Sequence, residues 1–362
     1  KSKTSSCSSR LGKIEKKEES STNEIGIRAI INKKQSIVST TNLEKQNVYN
    51  LTEKVVEMAK VVPENQYCGL AESDKIKQVS KQEVQKLEIC DSYEPTMNLI
   101  EKEVIKLEES ALDNKEITNS EGAEIAYSKN SICLLGSNGL EIEMEKTHSD
   151  FIIAVLAGSK DSMEREYDYK SKVFYNELGD FEKIGKEVSQ NAIKKLNSRK
   201  LKTCKSDVIF DSKVSSSLLR NLFSASNAQS IVKGISFLKD KMNNKVFNDR
   251  ISIIDDPLMP KKLRSKISDC EGIQSKKKFL IEKGYLKFFF NSLASSKQIK
   301  HEPTGHATRS ASSIPSVSYS NLYMENGEVS KRDMIKSLKR GLLITELLSL
   351  IHISEPTRPR SI

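Results

Sequence analysis

The order in which helix-like and strand-like segments follow one another constrains the fold of this chain more than any single motif does. Two β-branched runs, Glu24–Ile31 and Gln35–Thr40, flank the polar stretch Asn32-Lys33-Lys34, and this pattern predicts a hairpin. From Val48 to Val62 apolar residues then recur every three or four positions before Pro63. That spacing predicts a helix with one apolar stripe, which the proline ends.

The rest of the chain continues in an irregular order. Apolar stripes predict helices from Met97 to Ala111, from Phe181 to Leu196 and from Val214 to Ala225, and several strands are expected within Ile117–Tyr169. The basic stretch Arg199–Lys205 reads as a domain junction. Because helices and hairpins do not alternate as regular βαβ units, the sequence predicts an α+β fold. Further elements are expected at Val208–Phe210, Ile251–Ile254, the hairpin Lys278–Ile281 with Tyr285–Phe290, and a capped helix from Ser330 to Leu338.

The formal net charge of +10 raises the question of a nucleic-acid partner. The positive charge comes mostly from lysines scattered among 49 acidic residues, and aromatic residues make up only 6% of the chain, with no Trp. Stacking of bases needs aromatics between the basic groups, so we do not expect nucleic-acid binding. The longest apolar stretches, Phe151–Gly158 and Gly341–Leu348, fall far short of the ~20 residues of a membrane helix, so no membrane partner is expected either.

Cysteine usage indicates the compartment. The six cysteines lie far apart, and none forms a C-x-x-C pair. This spacing argues against a zinc knuckle or a dithiol redox site. Isolated cysteines in a chain of this length are typical of buried, reduced thiols, and we therefore expect a cytoplasmic protein.

Nine short segments along the chain match one known pattern when they are taken in order. They are Arg10–Glu15, Gly26–Arg28, Ile37–Thr40, Pro63–Ala71, Asn119–Ala123, Ser137–Gly139, Asp255–Pro257, Glu271–Gly272 and Gly341–Leu347. None is decisive alone, but their order and spacing from about Arg10 to Leu347 resemble the TldD/PmbA metalloprotease family, and specifically its PmbA (TldE) side.

The resemblance implies a domain plan and a function. It implies an N-terminal α/β layer over residues 1–92, a middle domain over 93–199 and a mainly β, incomplete C-terminal domain over 200–347. It also implies a cytoplasmic subunit that pairs with a TldD-like subunit in a zinc protease. Such a protease acts on unfolded peptides and on precursors of modified peptides.

The family's zinc chemistry is implied to lie in the partner. In TldD-type subunits a helix carries H-E-x-x-x-H, which supplies two zinc ligands and the catalytic Glu, and a later Cys adds a further ligand. The matching helix here is expected over Leu218–Gly234, and that stretch contains no His, Glu or Cys. Since zinc needs about three protein ligands, we expect no metal, no cofactor and no catalytic residue in this subunit.

The letters H-E-x-x-x-H do occur later in the sequence, at His301, Glu302 and His306. Pro303 and Gly305 oppose a helix there, and on an ideal helix the two histidines would lie about 140° apart. We expect a Pro-Gly turn with solvent-facing histidines. The alternative is a self-sufficient zinc peptidase using these three residues with an unidentified further ligand, and a third hypothesis is a non-enzymatic basic binding protein.

The two ends of the sequence have unusual features. Residues 348–362 contain Ile351–Arg360, a string that resembles translated sequencing-adapter read-through, so this tail is expected to be non-native and the last domain to be truncated. The chain begins with Lys1 rather than Met, which suggests that its natural start is missing.

Overall fold

The computed structural model of the chain describes residues 1–159, 162–338 and 340–347. The predicted tail at 348–362 lies outside the described residues. The chain forms two compact units: the first combines Lys1–Arg199, Asp255–Lys278 and Phe289–Asn321, and the second combines Lys200–Ile254, Phe279–Phe288 and the described residues from 322 onward. The predicted three-domain division stays a prediction.

Helices and antiparallel strands are both abundant, which confirms the α+β class. The helices are α1 (Lys45–Val61), α2 (Lys81–Lys86), α3 (Met97–Leu112), α4 (Phe181–Lys194), α5 (Ser212–Ser226), α6 (Ala228–Val232), α7 (Leu293–Ile299) and α8 (Lys331–Ser337). The strands are β1 (Ser2–Arg10), β2 (Lys13–Thr22), β3 (Ile25–Ile31), β4 (Lys34–Thr40), β5 (Ile117–Leu135), β6 (Glu141–Ala157), β7 (Glu164–Lys172), β8 (Asp207–Phe210), β9 (Ile253–Asp255), β10 (Lys278–Glu282), β11 (Tyr285–Leu286), β12 (Ala307–Thr308), β13 (Ser316–Val317), β14 (Leu322–Met324) and β15 (Gly341–Ile344). Within the described ranges, no helix combines the length and the apolar character needed to cross a membrane.

The first unit is built on a five-stranded sheet of order β2-β1-β5-β6-β7, in which every neighbouring pair is antiparallel. Helices α3 and α4 bury their apolar stripes against one face of this sheet. The predicted spacing of α3 is confirmed, because Ile100, Val104, Leu107 and Ala111 are all fully buried. They share one core with sheet residues such as Phe151.

The predicted hairpin is confirmed as β3–β4, with Asn32 and Lys33 at positive φ of 48° and 64°. Two successive residues at positive φ make the tight turn whose twist suits a two-residue hairpin. Helix α1 packs on this hairpin through Val55 and Ala59, and Ser36 Oγ donates a 2.6 Å hydrogen bond to the Val55 carbonyl.

The hairpin β1–β2 has no strong signal in the sequence and was not predicted. Its inward positions on β1 are Ser5, Cys7 and Ser9, which are small and mostly polar. One buried group, the Glu108 carboxylate, holds its turn: it accepts hydrogen bonds from the backbone N–H of Leu11 at 2.9 Å and of Gly12 at 3.2 Å. Strand β1 then pairs with β5, more than 100 residues further along the chain.

The second unit corrects one prediction. The continuous helix expected over Leu218–Gly234 is wrong, because α5 ends at Ser226 and Asn227 adopts an extended conformation (φ −73°, ψ 127°). The Asn227 side chain accepts a 2.9 Å hydrogen bond from Gln229 N–H and begins the short helix α6. Asparagine favours such a cap over a helix interior because its side chain satisfies a free backbone N–H group.

The second unit also contains a four-stranded sheet of order β11-β10-β9-β14 and a parallel pair of β8 with β15. The predicted strand near Ile251 and the predicted hairpin at Glu282-Lys283-Gly284 are present, although the second hairpin strand ends at Leu286 rather than Phe290. The capped helix at Ser330 is confirmed, since Ser330 Oγ accepts from Asp333 N–H at 3.2 Å.

The crossing of α3 and α4 gives a first prediction. A Cβ at Gly185 would lie 2.0 Å from Ser110 Oγ and 2.3 Å from the Leu107 carbonyl oxygen. Gly185→Ala therefore forces the helices apart, and we expect it to lower the free energy of unfolding by about 1–3 kcal/mol. Urea titration followed by circular dichroism measures this.

Gly69→Ala is the matched control, because its Cβ would meet only the Lys297 ammonium at 3.4 Å. It should leave the urea midpoint nearly unchanged. If both variants unfold at the same urea concentration, the close packing at Gly185 is contradicted.

Candidate functional site

The histidine expected to face solvent at position 306 is buried, which corrects that prediction. His306 is 1% exposed, and its Nε2 lies 2.9 Å from Oδ2 of Asp255, itself fully buried at the end of β9. The other oxygen of Asp255 accepts a 2.7 Å hydrogen bond from Ser320 N–H. The ring of Phe290 lies edge-on to the imidazole, with centroids 4.7 Å apart. Burial lowers the pKa of His306, while the bond to Asp255 opposes that shift.

The other two residues of the H-E-x-x-x-H string do not join this pair. His301 and Glu302 are exposed, and His301 lies near the Phe289 ring at 6.1 Å between centroids. The chain turns between them and His306 at Thr304, which exchanges hydrogen bonds of 2.8 and 3.0 Å with Asn291.

Gly305 completes this turn at φ 78°, where a Cβ would lie 2.7 Å from the Gln274 carbonyl oxygen. The expected Pro-Gly turn is thus present, but it directs His306 inward. The string does not form a helix.

The residues do not fit a zinc ion. Across residues 1–159, 162–338 and 340–347, no group of three or more His, Cys, Asp and Glu side chains lies in a metal-binding arrangement. His301, Glu302 and His306 are therefore not brought together, whereas a zinc site needs about three ligands that converge on one point. The expectation that this subunit holds no metal stays a prediction.

A buried acidic segment follows at Asp269 and Glu271. Asp269 accepts hydrogen bonds from the N–H groups of Glu271 (2.9 Å), Ile273 (3.0 Å) and Ala307 (3.0 Å). Burial raises the pKa of Asp269, and the positive charge of Lys266 and these three donors oppose the shift. The carboxylate therefore orders its own loop and joins it to the first residue of β12.

Glu271 is buried beside it and accepts a 2.8 Å hydrogen bond from Leu293 N–H at the start of α7. Burial raises the pKa of Glu271 to about 7, against the opposing effects of that hydrogen bond and of Arg28. Burial likewise raises the pKa of the Cys270 thiol between the two acids, so this thiol is protonated and unreactive.

A cavity of about 540 Å³ in the first unit borders this segment. Its walls are the far end of the β5–β6 hairpin, the start of β3, and the loops around Lys266 and Arg309. Lys146, on β6, lines it as well. Charged groups and hydrogen-bond donors surround this space, which is large enough for several residues of a peptide. The arrangement is therefore suited to binding a polar or charged group.

Sequence reasoning found only part of this site. Asp255 and Glu271 stood in segments that carry the family resemblance, but nothing in the sequence pointed to Lys146, Lys266 or Asp269. A lysine in a strand of alternating polarity, such as Lys146 in Glu141–Lys146, reads as a solvated side chain.

Sequence comparison matches the chain to three consecutive domains of one family. Residues 1–59 match PmbA/TldA metallopeptidase domain 1, residues 75–196 the central domain, and residues 203–358 the C-terminal domain. A curated relative, the metalloprotease PmbA homolog of Buchnera aphidicola subsp. Baizongia pistaciae, is 27% identical over 320 residues, which cover 87% of this chain and 68% of the relative.

Solved structures share the fold. The crystal structure of a putative modulator of DNA gyrase from Bacteroides thetaiotaomicron superposes with a TM-score of 0.87 at 21% identity, over 96% of this chain and 76% of the other. The crystal structure of TldE from Thermococcus kodakarensis gives a TM-score of 0.79 at 22% identity, over 96% and 78% respectively.

The buried pair gives a second prediction. His306→Ala leaves the Asp255 carboxylate without its imidazole partner and opens a hole beside Phe290. We expect the free energy of unfolding to fall by about 2–4 kcal/mol. His301→Ala, the same change at an exposed position, should cost less than about 0.5 kcal/mol. Thermal and urea unfolding of the two variants decide the matter, and equal losses would contradict the buried pairing.

Glu271 gives a prediction about pH. Its pKa rises from an ordinary 4.5 to about 7 on folding, so between those values the native state binds a proton that the unfolded chain has lost. The stabilisation from this group is complete below pH 4.5 and is lost as pH rises to about 7, by up to about 3 kcal/mol. Glu271→Gln should remove this part of the pH dependence.

The measurement is urea unfolding at pH 5 and pH 8. The stability of wild type relative to Glu271→Gln should be lower at pH 8 than at pH 5. Glu302→Gln, at an exposed position, is the control and should parallel wild type at both values. An unchanged difference between wild type and Glu271→Gln would show that Glu271 titrates as a solvated acid.

Proposed function

Since the chain belongs to the PmbA/TldD metallopeptidase family, we propose that it is the PmbA/TldE-type subunit of a two-subunit zinc peptidase. The zinc ion is held by a TldD-type partner, and this chain supplies walls of the chamber in which the peptide binds. The name of the structural relative from Thermococcus kodakarensis, TldE, is in keeping with this assignment.

The observation that carries the proposal is the arrangement of the single H-E-x-x-x-H string. His306, the second histidine, is committed to Asp255 inside the fold, while His301 and Glu302 are at the surface. A metallopeptidase centre needs its ligands to converge while leaving one position open for water. The geometry therefore favours a non-catalytic partner over a self-sufficient zinc peptidase.

The substrates we propose are unfolded peptides and precursors of modified peptides. Extended peptides are bound by backbone hydrogen bonds to strand edges and by pockets for side chains, which demand few particular residues. The hairpins β3–β4 and β5–β6 and the cavity of about 540 Å³ that they border are elements of this kind.

We further propose that the subunit works in the cytoplasm. Its six cysteines are all free in the described structure, and Cys7 and Cys68 are buried. Free thiols persist in reducing compartments, whereas secreted proteins tend to pair theirs.

Reconstitution tests the proposal. We expect the chain alone to cleave no unfolded peptide and to carry no stoichiometric zinc after mild chelation. Mixing it with a TldD-type subunit should produce chelator-sensitive cleavage, and replacing a zinc-binding histidine of the partner should abolish it.

The control variants of this chain are His301→Ala and Glu302→Gln, which should leave the rate of the mixture within about twofold. Peptidase activity of this chain alone that is lost on Glu302→Gln would overturn the proposal. So would one tightly bound zinc per chain that is lost on His301→Ala.

A further inference from the structure

Apart from the exposed Lys1, three cations line the cavity described above, and none of the three forms an ion pair with an acid among the described residues. Lys146 and Lys266 are half-buried, as is Arg309. Among the described residues, none of the three has a carboxylate within ion-pair distance, and the Lys146 ammonium donates one 3.1 Å hydrogen bond to the Ser265 carbonyl. A half-buried cation that lacks a counter-ion costs free energy in the folded chain.

The two lysines also act on one another. Burial lowers the pKa of Lys146 to about 8, and the positive charge of Lys266 adds to that shift. Burial also lowers the pKa of Lys266, against the attraction of Asp269 and Asp255. With a pKa of about 8, the Lys146 ammonium is charged at pH 7, and an anion in the cavity would offset the positive charge of Lys266 that acts on it.

Asp269 and Asp255 attract Lys266, but neither forms an ion pair with it among the described residues. Asp269 directs its oxygens to three backbone N–H groups, and Glu24, which also lines the cavity, is exposed. The Ser268 side chain lies on the same wall, and its buried hydroxyl has no hydrogen-bond partner among the described residues. The cavity thus combines three cations with an unused hydroxyl group.

We propose that this cavity binds a carboxylate group of a peptide, held by Lys146, Lys266 and Arg309. The inference rests on the proposed function, since a peptide is the substrate class assigned there, and it deepens that function by naming an anchoring group. The carboxylate can come from the C-terminus of the peptide or from an Asp or Glu side chain, and both present the same two oxygens to ammonium and guanidinium donors.

Direct binding to the isolated chain at pH 7 tests the inference. The probes are three fluorescein-labelled peptides of one neutral sequence: one with a free C-terminal carboxylate, one with a C-terminal amide, and one amidated with a Glu in the middle. By fluorescence anisotropy we expect at least one of the two acidic peptides to bind about 10-fold more tightly than the neutral amide. Which of them gains affinity identifies the source of the carboxylate.

Lys146→Met and Lys266→Met should each weaken binding of the favoured peptide by about 10-fold, because methionine keeps the apolar stem and removes the charge. Lys115→Met removes the same charge at an exposed position outside the cavity and should change affinity less than twofold. Lys146→Met should leave the urea midpoint unchanged, since it removes a half-buried charge that has no carboxylate partner. Lys266→Met also removes a charge that stabilises the Asp269 carboxylate, so it should lower the midpoint slightly. A cavity variant that loses stability but keeps its affinity would show that the lysine is structural.

Three results would overturn the inference. The first is equal affinity for all three peptides. The second is an equal loss of peptide affinity in Lys115→Met and in the cavity variants, and the third is equally tight binding of single-stranded DNA through the same lysines. The assay uses this chain alone and reads binding, whereas the proposed function is read as cleavage by the mixture. Failure here with an active mixture rejects the carboxylate site only, and an inactive mixture with intact peptide binding rejects the two-subunit function only.

Discussion

The long antiparallel pairing of β5 with β6 is the constraint on which the rest of the first unit depends. It runs from Ile117 opposite Ala157 to Leu135 opposite Glu141, so one hairpin extends through the whole sheet. A shift of one residue would exchange the two faces of both strands, which fixes the register through the buried face under α3 and α4. The same register places Asn130–Leu134 and Ile142–Met144 at the far end, where they border the cavity. Packing at one end of the hairpin thus determines the shape of the cavity wall at the other.

Elements with strong local signals were predictable from the sequence, and those that rely on distant partners were not. The stripe of α3 and the turn of β3–β4 have the periodicity and the backbone preferences of their structures, so both are confirmed. Strand β1 has serines and one cysteine at its buried positions. It takes an inner place in the sheet only because β5 pairs with it and Glu108 accepts hydrogen bonds from the turn that follows it. At Asn227 the local preference for a cap interrupts the helix that the family resemblance implied over Leu218–Gly234. Contacts between residues about 100 positions apart leave little trace in a local window.

In the candidate site, too, local sequence showed the residue types but not their partners. The letters of His301–His306 matched a zinc motif, but a motif specifies chemistry only when the backbone brings its side chains together. The relevant neighbour of His306 is Asp255, 51 residues earlier in the chain. Likewise, Lys146 and Lys266 became notable through their burial and mutual repulsion, which depend on which loops surround them. Charge can be counted in a sequence, whereas desolvation cannot.

The cavity lysines and the proposed lack of a metal both bear on how this chain would bind a peptide. Hydrogen bonds to a strand edge hold an extended peptide but discriminate weakly between registers, since every residue offers the same backbone groups. A subunit that supplies no catalytic ion can still contribute selectivity if it fixes one group of the peptide. Burial of the Lys146 ammonium without a carboxylate partner lowers the stability of the free chain. An anion that pairs with it binds the native state alone and restores that stability. A carboxylate anchored beside the β5–β6 hairpin would set the register of the peptide, and this selection of register is the role we assign to a wall without zinc ligands.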